Sequence, residues 1–437
     1  MTALEQPAHA AAEGPVRVPF PVVDEVARHC LQEEEPETVH IEVHLPGRLD
    51  VGRLRKAFTE ALHRHPRILM REARGPWYRR RYEWELTPDP DVDVVSVPPP
   101  DRDALKHARD RALATAPPLT ASPPIRLEAV ADGASAVGAR SGGDVLFLTI
   151  NHTALDGPAC LRVLATAAEL YGGRDNSPTA PPVRTPDTPQ SPPDTPATWS
   201  PPARVAHGTP EPSPGNGMLV TELLVPRRPK GAPYTVNDQL MAATALMLAH
   251  WNREHGARPR PMRITMPVDD RPRGTDMPIG NGTRLVEVPF APEELDADRI
   301  PELLRRTAAR TRALKSLPRP QLGHGAALLT APVVPVAWRA AVTRGLRRAA
   351  APWTSTTLLS NIGRIPYPLD FGDAGRAQAV WFSAPARMPR GLTVTTASTA
   401  GRLHLALRWS RTLLSHGDGA HLRDLFEHYL HATQEGP

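Results

Sequence analysis

A proline-rich segment in the middle of the chain most constrains how this protein can fold. Of its 437 residues, 52 are proline, and between residues 176 and 217 prolines are interspersed with Thr, Ser and Asp. Such a composition favours extended polyproline conformations and supplies too few apolar side chains to form a core. We therefore predict a linker over 176–217, with little buried area, between an N-terminal portion (1–175) and a C-terminal portion (218–437).

Both portions carry a mixture of strand and helix patterns. In the N-terminal portion we predict strands at 38–45, 69–70, 77–84, 125–130 and 145–150, and helices at 22–30, 51–65, 102–113 and 158–171. In the C-terminal portion we predict strands at 218–225, 262–267, 283–290, 356–360, 377–383, 392–398 and 403–409, and helices at 235–254, 301–317 and 421–433. This mixture predicts an α/β protein made of α/β sandwiches with mixed sheets.

The composition is that of a soluble globular protein in a reducing compartment. Hydrophobic residues make up 40% and charged residues 23% of the chain, and no apolar run approaches the roughly 18 to 20 residues that span a bilayer. The first 15 residues lack the basic start and apolar centre of a secretory signal, so we expect a disordered leader. The two cysteines, Cys30 and Cys160, allow one disulfide, but a reduced cytoplasmic protein is the simpler interpretation.

The histidines and cysteines do not predict a metal site. No Cys–His cluster has the spacing of metal ligands. His40 and His44 are four residues apart, but they lie in an alternating strand pattern that lacks the helical geometry of a zinc motif.

The net charge of +5 favours acidic partners. Aromatic residues make up 5% of the chain and do not interleave repeatedly with basic residues, so we predict no nucleic-acid module. Two basic stretches stand out: Arg79–Arg80–Arg81, and the group Arg339, Arg344, Arg347 and Arg348. Each could dock an acidic partner, but a solvated face is the simpler interpretation.

The segment around His152 is the main candidate for a catalytic site. It follows the apolar strand pattern at 145–150 and precedes a helix pattern that begins with Pro158 in its first turn. In a strand–turn–helix arrangement, the turn would direct the imidazole of His152 into a cleft. Histidine suits a general base because its pKa lies near the working pH. Asp156 would cap the helix or lock the turn through an ion pair; the alternative is a surface histidine beside a capping aspartate.

Several stretches, in order along the chain, resemble the condensation-domain superfamily, which includes chloramphenicol acetyltransferase, nonribosomal-peptide condensation domains, wax-ester synthases and standalone acyltransferases of actinobacterial lipids. The segment 151–157 resembles the family's HHxxxDG signature, with Asn151 in place of the first histidine. The other stretches are 47–54 with 64–66, 234–243, 267–272, 279–281 and 360–364. The likeness spans nearly the whole chain.

This resemblance implies two chloramphenicol-acetyltransferase-like lobes arranged in a V, with a channel between them for an acyl donor and an acceptor. The implied activity is transfer of an acyl group from a thioester to a small-molecule amine or alcohol, forming an amide or ester in natural-product or lipid biosynthesis. The thioester would be carried by coenzyme A or by the phosphopantetheine of an acyl or peptidyl carrier protein. No bound cofactor and no metal is implied.

The resemblance also implies roles for individual residues. His152 would be the general base, and Asp156 and Gly157 would be structural, with Arg271 as the partner of Asp156. The oxyanion would be stabilised by the backbone N–H of Gly157 and by polar groups near two substrate-channel candidates, Ser360 and Asn361. Asn151 is a third channel candidate, because it replaces the first histidine of the signature.

Two other functions remain open at this stage. A non-catalytic recruitment module for a carrier protein or partner enzyme would usually lack the active histidine, so retention of His152 favours an enzyme. An epimerisation-type isomerase would need an acid opposite His152, which the sequence does not place. The chain has no G-x-S-x-G nucleophile motif, which argues against a hydrolase triad.

Overall fold

The computed structural model describes residues 15–32, 34–131, 142–174, 200–271, 277–317 and 324–434. The strands are β1 (Arg17–Pro19), β2 (Thr38–His44), β3 (Met70–Glu72), β4 (Glu83–Leu86), β5 (Val95–Ser96), β6 (Ile125–Ala131), β7 (Asp144–Asn151), β8 (Asn216–Leu224), β9 (Met262–Asp269), β10 (Thr283–Phe290), β11 (Thr357–Arg364), β12 (Ala379–Ser383), β13 (Leu392–Thr399) and β14 (Arg402–Ser410). The α-helices are α1 (Val22–His29), α2 (Val51–Arg64), α3 (Ala104–Ala114), α4 (Gly157–Tyr171), α5 (Val236–Glu254), α6 (Ile300–Ser316), α7 (His324–Leu329), α8 (Val336–Ala350) and α9 (His416–Ala432). Among the described residues, no helix is both long enough and apolar enough to cross a bilayer.

The described strands form mixed sheets. One sheet has the order β12-β2-β7-β6-β5, in which β5 and β6 are parallel and the other neighbours are antiparallel. A second sheet has the order β10-β9-β11-β13-β14-β8, in which β11 runs parallel to both β9 and β13. A small antiparallel sheet joins β1, β4 and β3. These sheets, with helices packed on them, confirm the predicted α/β class.

Each of the two large sheets has its own apolar core. β7 is buried along its whole length, as its continuous apolar run predicts. The side chain of Asp50 caps α2, and that helix turns Leu54, Phe58 and Leu62 inward, where it packs on α4. In the second core α5 is buried through most of its length because α6 and α9 pack against it.

Strand β12 crosses between the two portions of the chain. It belongs to the C-terminal portion, yet it pairs antiparallel with β2 at the edge of the first sheet, with Val380 opposite Val43. Its buried members, Val380 and Phe382, join the core of the N-terminal portion. The sheet built mainly from the N-terminal portion therefore includes a strand from beyond residue 218, a pairing that the sequence pattern did not predict.

The end of the proline-rich segment differs from the prediction of an unpacked linker. Ala203 and Val205 are buried in the second core, and the Ala203 N–H donates to the carbonyl of Pro261 (2.8 Å). The side-chain amide of Asn252 binds this stretch from both sides, accepting from Ala206 N–H and donating to the Arg204 carbonyl (2.8 Å each). The expectation of little buried area is therefore wrong for residues 202–206, where small apolar residues follow the prolines, while residues 207–215 are exposed or only partly buried. Residues 176–199 lie outside the described part of the chain.

The basic stretch that begins at Arg339 belongs to α8, a helix absent from the predicted elements. Arg339 itself is buried, with its guanidinium 2.6 Å from the Glu25 carboxylate and donating to the Val334 carbonyl (2.7 Å). The interpretation as a solvated face is wrong for this residue. Arg79 likewise pairs with Glu72 rather than standing free in solvent.

Candidate functional site

The short turn between β7 and α4 presents His152. Its backbone N–H donates to the carbonyl of Glu37 (2.8 Å), which ties the turn to the chain just before β2. On the side chain, Nδ1 lies 2.9 Å from the carbonyl oxygen of Leu155. Because a carbonyl oxygen only accepts, Nδ1 carries the proton in this contact, and Nε2 of the neutral ring keeps its lone pair.

Asn151 shapes this turn from the buried side. Its side-chain nitrogen donates to the Pro117 carbonyl (2.8 Å), and its oxygen accepts from the Thr153 N–H (3.1 Å). The side chain is buried and does not line the cavity that contains His152. The expectation that Asn151 is a channel residue is therefore wrong. Neighbouring side chains at the end of a strand point to opposite faces, so Asn151 turns inward where His152 turns toward the cavity.

Asp156 links the two portions of the chain. It caps α4, since its Oδ1 accepts from the Ala159 N–H (3.0 Å). Its Oδ2 accepts from the Arg271 guanidinium (2.7 Å) and from the Gly282 N–H (2.8 Å). The side chain is only 3% exposed, and its negative charge lies at the positive end of the helix dipole. Asp156 is therefore held at the base of the His152 turn by groups more than a hundred residues away.

Arg271 is held by more than one partner. Its Nε lies 2.9 Å from Asp269, and its NH1 donates to the carbonyl of Gly280 (3.0 Å). The guanidinium thus lies between the carboxylates of Asp156 and Asp269. Since this cation serves two buried anions, its loss would leave them unbalanced.

Gly282 must be glycine for this arrangement. A Cβ at this position would lie 2.3 Å from Nε and 2.4 Å from Cζ of Arg271, whose guanidinium cannot move without leaving its carboxylates. We expect Gly282→Ala to lower the free energy of unfolding by about 1–3 kcal/mol, measured by urea unfolding. Gly345→Ala is the control, because a Cβ there meets open space and the helix gains propensity. An unchanged stability in Gly282→Ala would show that Arg271 is not confined.

A second set of contacts ties the same turn to α1. The side-chain nitrogen of Asn281 donates to the carbonyls of Thr153 (3.0 Å) and His152 (3.2 Å) and to Oδ1 of Asp24 (2.9 Å). Oδ2 of Asp24 accepts from the indole N–H of Trp84 (2.8 Å). Asn281 thus orients the backbone that follows His152, and Asp24 orients Asn281.

Asp24 makes this tie sensitive to pH. Burial is the main reason that the pKa of Asp24 rises from the ordinary 3.8 to about 7. The hydrogen bonds from Asn281 and Trp84 lower this pKa, and the negative charge of Asp156 raises it further. Between these two values the folded protein holds a proton that the unfolded chain has released. The free energy of unfolding therefore falls as the pH rises from about 4 to about 7.

We expect Asp24→Asn to remove this part of the pH dependence. Relative to the wild type, the variant should gain stability as the pH rises from about 4 to about 8, by up to about 4 kcal/mol. At every pH we also expect the variant to lose about 1 kcal/mol of stability, because the side-chain amide has one oxygen and cannot accept from both Trp84 and Asn281. Urea unfolding of both proteins across this pH range measures the difference, and a difference independent of pH would contradict the assignment.

The His152 turn opens onto a cavity of about 410 Å³ that both portions of the chain line. Its walls include His152, Gly157, Leu161, Asn237, Met266, Ser360, Asn361, Phe382, Arg387, Arg390 and Thr395. Two channel candidates, Ser360 and Asn361, are thus brought to the cavity with His152. The Asn361 side-chain nitrogen donates to Oδ1 of Asn237 (3.2 Å), and its oxygen accepts from the Gly363 N–H (2.9 Å), where β11 carries a bulge.

Arginines supply positive charge to the cavity wall. Arg387 pairs with the carboxylate of Glu37 (2.6 Å), and Arg390 donates to the hydroxyl of Ser355 (3.0 Å). Burial lowers the pKa of Arg390 to about 10, and the nearby charge of Arg387 contributes, so Arg390 remains a cation at neutral pH. Burial also lowers the pKa of Arg387, while the charge of Glu37 raises it. Among the described residues, no group of three or more His, Cys, Asp or Glu side chains is placed to hold a metal ion.

The sequence did not single out the supporting residues of this site. Nothing in the neighbouring sequence marks Asp24 or Glu37 as functional, since Asp24 lies in an ordinary helix and Glu37 directly precedes an ordinary strand. Asn281 lies in one of the stretches that resemble the superfamily, but no role followed from its neighbours. A second signal for Asn281 was its position in a short polar segment, Gly280–Asn281–Gly282, just before a predicted strand.

Sequence comparison finds related proteins without an assigned activity. No protein-family model matches the chain. Uncharacterized proteins from two strains of Mycobacterium tuberculosis are each 29% identical to it over 385 residues, covering 80% of this chain and 84% of each relative.

Comparison with solved structures identifies the fold. The trichothecene 15-O-acetyltransferase of Fusarium sporotrichioides superposes with a TM-score of 0.63 at 13% identity, covering 95% of each chain. The first condensation domain of the CDA synthetase gives 0.63 at 14% identity, covering 96% of this chain and 97% of that one. The condensation domain of the monacolin K polyketide synthase gives 0.59 at 15% identity, with coverage of 96% and 97%. The chain therefore shares the fold of these acetyltransferase and condensation-domain structures, as the resemblance of its motifs predicted.

Proposed function

We propose that this protein is a condensation-type acyltransferase, which moves an acyl group from a thioester to an amine or hydroxyl acceptor. The observation that supports the proposal most strongly is the hydrogen bonding and position of His152. Its Nδ1–H is committed to the Leu155 carbonyl, and the ring lines a cavity shared by both portions of the chain. A fixed imidazole with a basic Nε2 beside a substrate-sized cavity is suited to general base catalysis.

In the proposed reaction, Nε2 of His152 takes the proton from the acceptor N–H or O–H. The acceptor lone pair attacks the thioester carbonyl, and a tetrahedral oxyanion forms. When this intermediate collapses, the C–S bond breaks and the thiolate leaves, taking the proton from the imidazolium. Because a thiolate is a good leaving group, no covalent acyl-enzyme is needed.

The oxyanion needs hydrogen-bond donors near His152. The N–H of Gly157, at the start of α4, is one candidate because the helix dipole favours negative charge there. The hydroxyl of Ser360 is a second candidate on the cavity wall. Asn361 is a weaker donor candidate, since its side-chain nitrogen already donates to Asn237; we assign it the role of holding β11 beside the cavity.

The charge of the site supports an anionic donor. Arg387 is paired with Glu37, whereas Arg390 forms no ion pair with a carboxylate among the described residues; Arg390, with a net charge of +5 on the chain, would attract the phosphates of coenzyme A or an acidic carrier protein. Two of the structurally similar proteins are condensation domains of a synthetase and a polyketide synthase. By analogy we propose a carrier-bound or coenzyme A thioester as donor, used in the cytoplasm.

The residues that line the cavity give less support to the alternative function, epimerisation. An acid opposite His152 would have to deliver a proton to a carbanion. Glu37 lines the cavity, but its carboxylate is paired with Arg387 at 2.6 Å. Its carboxylate is therefore occupied by Arg387 and is not aimed at a substrate opposite His152.

The proposal is tested by thiol release. Acyl-coenzyme A thioesters of increasing chain length are incubated with the full chain and with panels of amines and alcohols, and free coenzyme A is measured together with product mass. We expect thiol release that depends on the acceptor and yields an acylated acceptor of matching mass. The same panel with acyl-phosphopantetheine on a carrier protein distinguishes the two donors. Failure of every donor to acylate any acceptor would favour a recruitment module.

A further inference from the structure

The outer face of α8 is apolar although it faces solvent. The inner face packs on α1 through buried residues that include Val336, Ala340 and Thr343. Trp338, Val342 and Leu346 recur every four residues on the opposite face and are all exposed, Trp338 by 67%. A surface helix normally carries polar residues there. An apolar stripe left in solvent in this way is characteristic of a contact surface.

Other exposed apolar side chains lie near the first turn of α8. Trp77 and Leu328 are 76% and 81% exposed, and Tyr78 and Val333 are also exposed. The loop that carries Trp77 is fixed to the helix, because the Val336 N–H donates to the Arg79 carbonyl (2.9 Å). We call the set Trp77, Tyr78, Leu328, Val333, Trp338, Val342 and Leu346 the apolar patch.

The two sequence segments that carry the apolar patch contain no acidic residue. No Asp or Glu occurs in the sequence between Glu302 and Asp370, nor between Glu72 and Glu83 on the Trp77 loop. Arg344 and Arg348 are exposed on α8, each two residues after a member of the stripe and therefore on the other exposed side of the helix, and Arg80 and Arg81 are exposed on the Trp77 loop. These arginines carry no ion pair to a carboxylate among the described residues, so their charges are available to an anionic surface.

We infer that the apolar patch and its arginines dock the protein on a bilayer surface that contains anionic lipids. Protruding Trp and Leu side chains enter the boundary between headgroups and acyl chains, where tryptophan is favoured. Arginine pairs with lipid phosphates through its planar fork. A protein partner would need a complementary concave surface for side chains that project this far, whereas a bilayer accommodates them without one. The inference is independent of the acyl transfer reaction.

Flotation of the full chain with lipid vesicles tests this directly. We expect binding to vesicles of phosphatidylcholine mixed with phosphatidylglycerol, much weaker binding to phosphatidylcholine alone, and a decrease with added salt. Absence of binding to the mixed vesicles, or equal binding to both kinds, would overturn the inference.

Substitutions locate the contact. Trp338→Ser with Leu346→Ser should reduce the vesicle partition coefficient at least about tenfold. Arg344→Gln with Arg348→Gln should reduce it about fivefold for each arginine. Matched controls, which should bind like the wild type, are Leu224→Ser, an apolar side chain 66% exposed on β8, and Arg258→Gln with Arg260→Gln.

The outcomes separate membrane docking from other causes. Circular dichroism melting of each variant checks that the fold is retained. Equal losses in the patch and control variants would contradict a specific surface. A different result would show a protein-docking site: the wild type does not bind vesicles, and the patch variants lose binding to an acidic carrier protein. In that case the lipid inference is wrong.

Discussion

Replacing His152 with alanine should reduce the rate of acyl transfer by about a hundredfold or more, the usual contribution of a general base. Among the described residues the side chain hydrogen-bonds with the carbonyl of Leu155, while the turn itself is held by Asp156, Asn281 and the backbone of Glu37. The melting temperature should therefore change little. The loss should appear in kcat for a saturating acceptor, because the thioester still enters an intact cavity.

The matched control for this substitution is His107→Ala, since His107 is exposed on α3 and does not line the cavity. It should leave both turnover and stability near the wild-type values. Near-normal turnover in a folded His152→Ala protein would remove His152 from the mechanism and would revive the recruitment-module interpretation.

Removal of Arg271 should have the largest effect on stability. Arg271→Ala leaves the buried carboxylates of Asp156 and Asp269 facing each other without a cation, and we expect a loss of about 3–5 kcal/mol. Asp156→Asn should cost less, about 1–3 kcal/mol, because Asp269 still balances Arg271 and the amide oxygen still caps α4. Both variants should also lose activity, since the His152 turn loosens.

The double variant tests whether the two side chains act together. With the pair already broken, adding Asp156→Asn to Arg271→Ala should cost less than it does alone, or should restore stability by removing one of two like charges. We expect a coupling energy of about 0.5–3 kcal/mol from urea unfolding of the four proteins. Strict additivity would mean that the 2.7 Å contact contributes no energy of its own.

The parts of the site that depend on local sequence could be predicted. The His152 turn follows from an apolar strand and a helix with an early proline, and the structure has both elements within one or two residues of the predicted bounds. The cap role of Asp156 follows from the same local pattern. Arg271 as its partner came from the resemblance to the superfamily, because nothing near either residue in the sequence indicates the other.

The parts that depend on distant contacts could not be predicted. The contact between Asp24 and Asn281 joins residues 257 positions apart, and neither residue type is unusual where it stands. β12 was predicted as a strand, but an apolar strand carries no signal for which sheet it joins, so its pairing with β2 was missed. α8 was missed because its apolar and basic residues resemble a solvated basic stretch unless the buried Arg339–Glu25 pair is known.

The central claim is direct transfer of an acyl group from thioester to acceptor in the His152 cavity. Intact-mass spectrometry of the protein and the acceptor during a single turnover tests it most directly, with an active donor and acceptor from the thiol-release panel. The account predicts that the acceptor gains the mass of the acyl group while the protein mass stays unchanged, and that His152→Ala suppresses this gain. Acyl mass appearing on the protein before it appears on the acceptor would contradict it.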